Sequence, residues 1–300
     1  MRILISGASG VIGKRLVLAL STVGNEVVSL VRRAPAQGEL RWDPEHAVLD
    51  GESAEGFDAV VHLAGENVGD GRWTDERKRR IEDSRVQGTS LLATTLARRS
   101  RKPRVLVSAS AVGYYGGRGR VEDPVDETAP AGDDFLARVC VRWEQAAVAA
   151  ADAGIRVVHP RFGVVLSADG GALHKMLTPF RAGLGGPIGG GKQPFPWVAI
   201  DDAILAIVRL ISDESLAGPV NVVAPERSSQ ADFARALGRV LGRPAFVPLP
   251  RFAVKALFGE MGETVLLGGV AAVPRRLLDA GFGFSQGELY AALRHLLPSR

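Results

Sequence analysis

The first half of the chain alternates short, nearly continuous apolar runs with longer segments in which apolar residues recur at helical spacing. The short runs are Arg2–Ser6, Glu26–Val31, Ala59–Leu63, Val105–Ser108 and Arg156–Arg161. Unbroken apolarity over so few residues suits a strand buried on both faces, as in a parallel sheet covered by helices. The longer segments, Val11–Val23, Asp75–Arg98 and Phe135–Ala153, carry the helical period. Strand and helix in repeated alternation predict an α/β fold with a Rossmann-type, doubly wound parallel sheet.

The pattern changes after Leu166. Gly183, Gly185, Gly186, Gly189, Gly190 and Gly191 crowd around Pro187, the composition of a tightly turned or flexible loop. Trp197–Leu210 then reads as a strand end and a helix returning to the first unit, Pro219–Val223 as another short strand, and Gln230–Arg300 as a helix-rich stretch punctuated by Gly and Pro. The expected division is residues 1–165 plus 197–224 as a nucleotide-binding domain, and 166–196 plus 225–300 as a smaller α/β substrate lobe.

Composition narrows the class. Hydrophobic residues make up 46% of the 300 and charged ones 23%, which favours an ordinary globular protein over a disordered or fibrous one. No apolar stretch is long enough to span a bilayer, so no membrane partner is expected. Met1–Ile5 runs straight into Ser6 and Gly7, without the apolar core and cleavage site of a signal peptide. With Cys140 the only cysteine, no intrachain disulfide can form, and a cytoplasmic location is expected. Cys140 itself reads as a small buried residue.

The net charge of +4 raises the question of an anionic partner. Arg77, Lys78, Arg79 and Arg80 nevertheless alternate with Asp75, Glu76, Glu82 and Asp83, as on a solvated helix. Arg98, Arg99, Arg101, Lys102 and Arg104 fall where a helix ends, and cations complement its dipole there. Neither run is interleaved with aromatic residues that would stack on bases, so no nucleic-acid partner is expected. A small-molecule substrate is, with the chain as a monomer or homodimer.

Ser6-Gly7-Ala8-Ser9-Gly10-Val11-Ile12-Gly13 follows an apolar strand and opens an amphipathic helix, the context in which a glycine pattern becomes specific for dinucleotides. Gly7 permits the tight turn, Gly10 lets backbone approach a pyrophosphate, and Gly13 lets the helix pack on the strand. Ser9, Val11 and Ile12 complete the turn, whose N–H groups and dipole receive the phosphates. Where NAD sites carry a ribose-binding carboxylate, at the end of the second strand, this chain has Arg32 and Arg33. Guanidinium groups grip a 2′-phosphate with forked, charge-assisted bonds, so NADP(H) is the favoured cofactor. The alternative is that both arginines are solvated and either dinucleotide is accepted. His62-Leu63-Ala64-Gly65 supplies the next contact layer, with small residues where backbone passes close to the ligand. His62 reads as a packed strand-end histidine before it reads as a base.

These residues resemble the extended short-chain dehydrogenase/reductases of the sugar-nucleotide epimerase type. The glycine turn, His62–Gly65, Ser108 to Gly116 and Trp197 to Asp202 occur in that superfamily's order. Gly71-Arg72-Trp73-Thr74, Ser84-Arg85-Val86, Ser108 to Gly116 and Gly170-Gly171-Ala172-Leu173 are similar to its atypical epimerase-family branch, whose members are sometimes labelled cell-division inhibitors. The run from Phe258 through Val273-Pro274 to Phe282 resembles that branch's small C-terminal domain of unknown function. Ser108 is a candidate cofactor contact and Trp197 a candidate substrate residue, although Trp197, like Trp42, Trp73 and Trp143, reads first as a core or interface residue. Branch members usually have Trp-Ile-His-Ile-Asp-Asp where this chain has Trp197-Val198-Ala199-Ile200-Asp201-Asp202, so no role passes from that histidine.

The superfamily's reductases use Tyr and Lys four residues apart, the lysine lowering the phenol's pKa and holding the nicotinamide ribose. No Tyr-x-x-x-Lys exists here: Tyr114 is followed by Arg118, Tyr115 by Gly119 and Tyr290 by Arg294. The helix that the resemblance assigns to the pair reads Phe135-Leu136-Ala137-Arg138-Val139-Cys140, apolar at both candidate places. Ser110 stands at the superfamily's serine, where its hydroxyl can orient a carbonyl or alcohol. Tyr114 and Tyr115 are candidate proton donors or pocket walls. Arg161 either pins an anionic substrate or pairs with Asp201 or Asp202. The histidines lack metal-ligand spacing, so no metal is expected. Two readings stand: an NADP(H)-dependent oxidoreductase or epimerase-like enzyme of unknown substrate, and a non-catalytic NADP(H)-sensing protein.

Overall fold

The computed structural model describes residues 1–49 and 52–297. Six parallel strands form where the apolar runs lie: β1 Arg2–Ser6, β2 Glu26–Val31, β5 Ala59–His62, β6 Val105–Ser108, β8 Arg156–Phe162 and β11 Gly218–Val222. Two strands at one edge, β3 Glu39–Asp43 and β4 Val48–Leu49, were not expected from sequence. Of β3 only Trp42 is fully buried, so its half-polar sequence resembles a loop. Short β7, Ser110–Ala111, pairs with β8 and completes the sheet.

The order β11-β8-β6-β5-β1-β2-β3-β4 is parallel except for the last pair. Helices α1 (Val11–Thr22) and α2 (Asp75–Ala97) cover opposite faces. Strand alternation explains this directly: Ile3 and Ile5 pack with Leu16 and Leu20 of α1, while Leu4, between them, packs with Leu92 and Leu96 of α2. Each such side chain, fully buried, contributes about 1.5–3 kcal/mol relative to exposure. From β1 the chain runs outward to β2 and β3, then returns to β5 on the other side of β1. The strand order therefore reverses between β1 and β5, and a crevice opens beyond their carboxyl ends.

The expected helix Phe135–Ala153 is two, α3 Phe135–Gln145 and α4 Val148–Asp152, broken around Ala146 and Ala147. Alanine carries no stop signal, so the break is invisible locally. In the segment after Leu166, α5 Gly171–Arg181 forms despite Pro179 within it. Strand β9, Val164–Leu166, pairs with β10, Trp197–Ala199, in a separate two-stranded sheet, and α6, Ile200–Ser212, returns beside α1 as the pattern predicted. The C-terminal part is helical: α7 Gln230–Leu241, α8 Arg251–Met261, α9 Arg275–Asp279 and α10 Leu289–Leu296. A separate core joins α5, α7 and α10 to β9 and β10 through Leu173, Phe233, Leu293 and Trp197. No helix among the described residues is long and apolar enough to cross a membrane.

Candidate functional site

The glycine turn sits at the mouth of the crevice. Gly7 adopts φ +72°, and a Cβ there would lie 2.8 Å from the Ala64 backbone nitrogen. A Cβ on Gly13 would lie 2.1 Å from the Gly7 carbonyl oxygen, so only glycine lets α1 seat on the turn. Gly10 differs: its Cβ would meet only the Gly7 oxygen, at 3.3 Å, and otherwise open space. Gly10 is the N-cap of α1, and no side chain caps that end. The first N–H groups of α1, around Val11, Ile12 and Gly13, thus meet the crevice beside exposed Ser9 with the positive end of the helix dipole behind them. This donor set fits a pyrophosphate.

Ser6, which the sequence reading passed over, organises the adjoining wall. Its hydroxyl oxygen accepts from the backbone N–H groups of Leu63 (3.2 Å) and Ala64 (3.4 Å) and lies 2.6 Å from His62 Nδ1; with both lone pairs so engaged, the hydroxyl is assigned as the donor to that nitrogen. That assignment puts the His62 proton on Nε2, which is buried and has no partner among the described residues. His62 is completely buried, edge-on to Trp42 at 5.7 Å between ring centres. Burial, with help from the Arg85 charge, pushes its pKa down to about 4. Its side chain is thereby a neutral packing group, and Leu63, Ala64 and exposed Gly65 are what the β5 end offers a ligand. Ser108, paired in register with His62, is buried too, its hydroxyl unpartnered among the described residues.

Arg32 and Arg33 part company. The Arg33 guanidinium clasps both Glu39 oxygens, at 2.7 and 2.5 Å, and that carboxylate raises its pKa above the ordinary value. Arg32, beside it at the end of β2, is exposed and makes no hydrogen bond or ion pair among the described residues.

On the far side of the crevice a largely buried polar chain joins five elements. Ser110 donates to Glu144 Oε1 at 2.7 Å, and Arg161 reaches both Glu144 oxygens at 2.8 Å through Nε and Nη2. Arg161 Nη1 donates to the Tyr115 hydroxyl at 3.0 Å, which donates to Asn221 Oδ1 at 2.7 Å. The guanidinium lies 3.4 Å from the centre of the half-buried Tyr114 ring. Burial works against the Arg161 charge, but its bonds to Glu144 outweigh this and hold its pKa above the ordinary value. Burial pushes the Tyr115 phenol up to about 12. Tyr115 is wholly enclosed, so of the two tyrosines only Tyr114 has a face left for a ligand. The expected pairing of Arg161 with Asp201 or Asp202 is corrected: Asp201 bonds His295 Nε2 at 2.8 Å, and Asp202 accepts the N–H groups of Ser285 and Gln286. Trp197 is 1% exposed and lies in the core shared by α5, α7 and α10. A Cβ on Gly113 would touch Leu136 and Cys140 at 3.5 and 3.9 Å, which puts that apolar pair of α3 beside the Ser110 segment.

Residues 3–223 match the NAD dependent epimerase/dehydratase family, and residues 249–296 match a domain of unknown function. The chain belongs to the NAD dependent epimerase/dehydratase family. The human epimerase family protein SDR39U1 is 39% identical over 99% of this chain and 100% of its own length. An epimerase family protein of Mycobacterium bovis is 42% identical over 96% of this chain and 95% of its own. The crystal structure of human SDR39U1 (isoform 2) with NADPH superposes with a TM-score of 0.91, covering 99% of each chain.

For this epimerase-family chain, local sequence pointed to the glycine turn but passed over Ser6, Glu144 and Asn221. Ser6 adjoins the glycine motif, and that adjacency was a usable signal. Glu144 and Asn221 had none, since their partners lie 17 or more positions away along the chain.

Proposed function

We propose that this chain binds NADP(H) across the β1/β5 crevice and acts on a small molecule as an oxidoreductase or epimerase-like enzyme. The observation that carries the cofactor reading is the uncapped α1 turn, with Gly10 open to the crevice and a free Arg32 at the end of β2. The NADPH held by the human relative supports it. Gly7, Gly10 and Gly13 with Ser9, Val11 and Ile12 hold the pyrophosphate, Arg32 takes the 2′-phosphate while Arg33 is braced by Glu39, and Leu63, Ala64 and Gly65 line the β5 side. Bound NADP(H) supplies hydride chemistry. Ser110 orients a substrate oxygen, with Glu144 and Arg161 fixing the hydroxyl from behind and Tyr114 walling the pocket.

The test compares NADPH and NADH affinity for the native chain, Arg32→Ala and Arg33→Ala. Loss of Arg32 is expected to weaken NADPH about tenfold to a hundredfold, the worth of one or two charge-assisted bonds, and to leave NADH unchanged. Arg33→Ala, removing a side chain engaged by Glu39, is expected to have the smaller effect. An unchanged NADPH-to-NADH ratio in Arg32→Ala would refute the assignment. A second reading, a cofactor-sensing protein without turnover, is favoured by the lack of any Tyr-x-x-x-Lys. Turnover of any carbonyl or alcohol that Ser110→Ala abolishes would exclude it.

A further inference from the structure

Among the described residues Arg85 forms no salt bridge, although it stands at the edge of the crevice. It rises from α2, and its guanidinium carbon is 3.3 Å from where a Cβ on Gly65 would stand. Its Cζ lies over the Trp143 ring, 4.9 Å from the ring centre, and Nη1 donates to the Ile81 carbonyl, one turn back, at 2.9 Å. The acid within reach, Glu66, is already held by Arg77 at 2.7 Å. Arginine has five N–H donors, and in this half-buried guanidinium one of them meets the Ile81 carbonyl, which among the described residues leaves the others available to a ligand. Burial lowers its pKa below the ordinary value.

The strand order says which part of a ligand would meet it. The phosphate cradle is at the end of β1, and the free Arg32 is at the end of β2. A dinucleotide with its pyrophosphate on the first and its 2′-phosphate on the second directs its other half the opposite way, over β5. Gly65 and Arg85 stand there. Gly65 is exposed, and the absence of a Cβ leaves the guanidinium open on that side. On neighbouring α3 the residues turned to the Ser110 segment, Leu136 and Cys140, offer no charge.

We propose that Arg85 is the positioning cation for the nicotinamide half of the dinucleotide, donating from α2 to its ribose and phosphate oxygens. This rests on the NADP(H) reading above.

The test uses two probes. NADPH occupies both halves of the site, whereas adenosine 2′,5′-bisphosphate carries only the adenosine half with its 2′-phosphate. Dissociation constants are measured by calorimetry for the native chain, Arg85→Met and Arg85→Lys, with unfolding curves to establish that each variant is folded. Arg85→Met is expected to weaken NADPH tenfold or more and to leave the bisphosphate within twofold of native. Arg85→Lys, which keeps the charge without the fork, is expected to recover part of the loss and covers the case in which the methionine variant does not fold. Equal weakening of both probes, or of neither, overturns the proposal. If the native chain binds the bisphosphate and NADPH equally tightly, no contact to the nicotinamide half exists and the proposal fails while the cofactor reading stands. If it binds neither, the cofactor reading fails and takes this proposal with it.

Discussion

Gly10 and Gly13 are three residues apart in one turn, yet they are constrained by different things, and alanine at each separates binding from folding. At Gly10 the backbone is extended, with φ −72° and ψ 171°, and the added methyl meets one atom at 3.3 Å. Stability should fall by no more than about 1 kcal/mol, the cost of a poorer N-cap. The methyl does, however, enter the space between the helix N-terminus and the crevice. Displacing a phosphate from one or two charge-assisted bonds costs about 3 kcal/mol, or roughly a hundredfold in Kd. At Gly13 the methyl would stand 2.1 Å from the Gly7 oxygen and 2.7 Å from the Ala8 Cα, all backbone atoms. No rotamer relieves that, and α1 must lift from the turn, an overpacking cost of about 3 kcal/mol and a fall in Tm on the order of 5–10 °C. NADPH titration monitored by fluorescence and thermal unfolding read the two quantities independently. The reasoning is refuted if Gly10→Ala binds NADPH as the native chain does, or if Gly13→Ala melts with it.

The buried pair offers a second test. Arg161→Met leaves the Glu144 carboxylate buried against Ser110 alone and should cost about 3–5 kcal/mol in urea unfolding, much of it regained in Arg161→Met/Glu144→Gln; a double variant no more stable than the single would count against the pairing. His62, with a pKa of about 4 against an ordinary 6.5, binds its proton more readily in the unfolded chain, so the neutral ring's contribution is complete above pH 6.5 and declines as pH falls towards 4. The decline is worth roughly 3 kcal/mol, read as the pH-dependent difference in unfolding free energy between the native chain and His62→Asn; a flat difference disproves it. Glu127 has the opposite sign. Burial raises its carboxyl above the ordinary 4.5, one oxygen has no partner among the described residues, and the other accepts from Asn221 N–H at 2.9 Å. Its contribution is therefore full below 4.5 and lost as pH rises through the elevated folded value, so Glu127→Gln should gain Tm relative to native towards neutral pH. Equal gains at pH 4 and pH 7.5 would show that the charge is not the cause.

What local sequence determined here is what depends on neighbours along the chain. Continuous apolar runs specified the central strands because a strand buried on both faces has no polar side to show. The glycine turn was legible because each glycine answers a constraint within a few residues, Gly13 against Gly7 above all. The tertiary structure decided whatever depends on partners far along the chain. It made a strand of Glu39–Asp43, because pairing with β2 compensates for a weak local preference. It supplied the partners of His62, whose packed character the strand end already suggested, because Ser6 and Trp42 meet it from two other strands. It separated Arg32 from its neighbour, because Glu39 arrives on the next strand and clasps only Arg33. Most consequentially for function, it tied Ser110, Glu144, Arg161 and Tyr115 into one network and left Arg85 without a salt bridge among the described residues. Charge pairing in a buried site is a property of three-dimensional proximity, and the spacing of charges along a chain does not encode it.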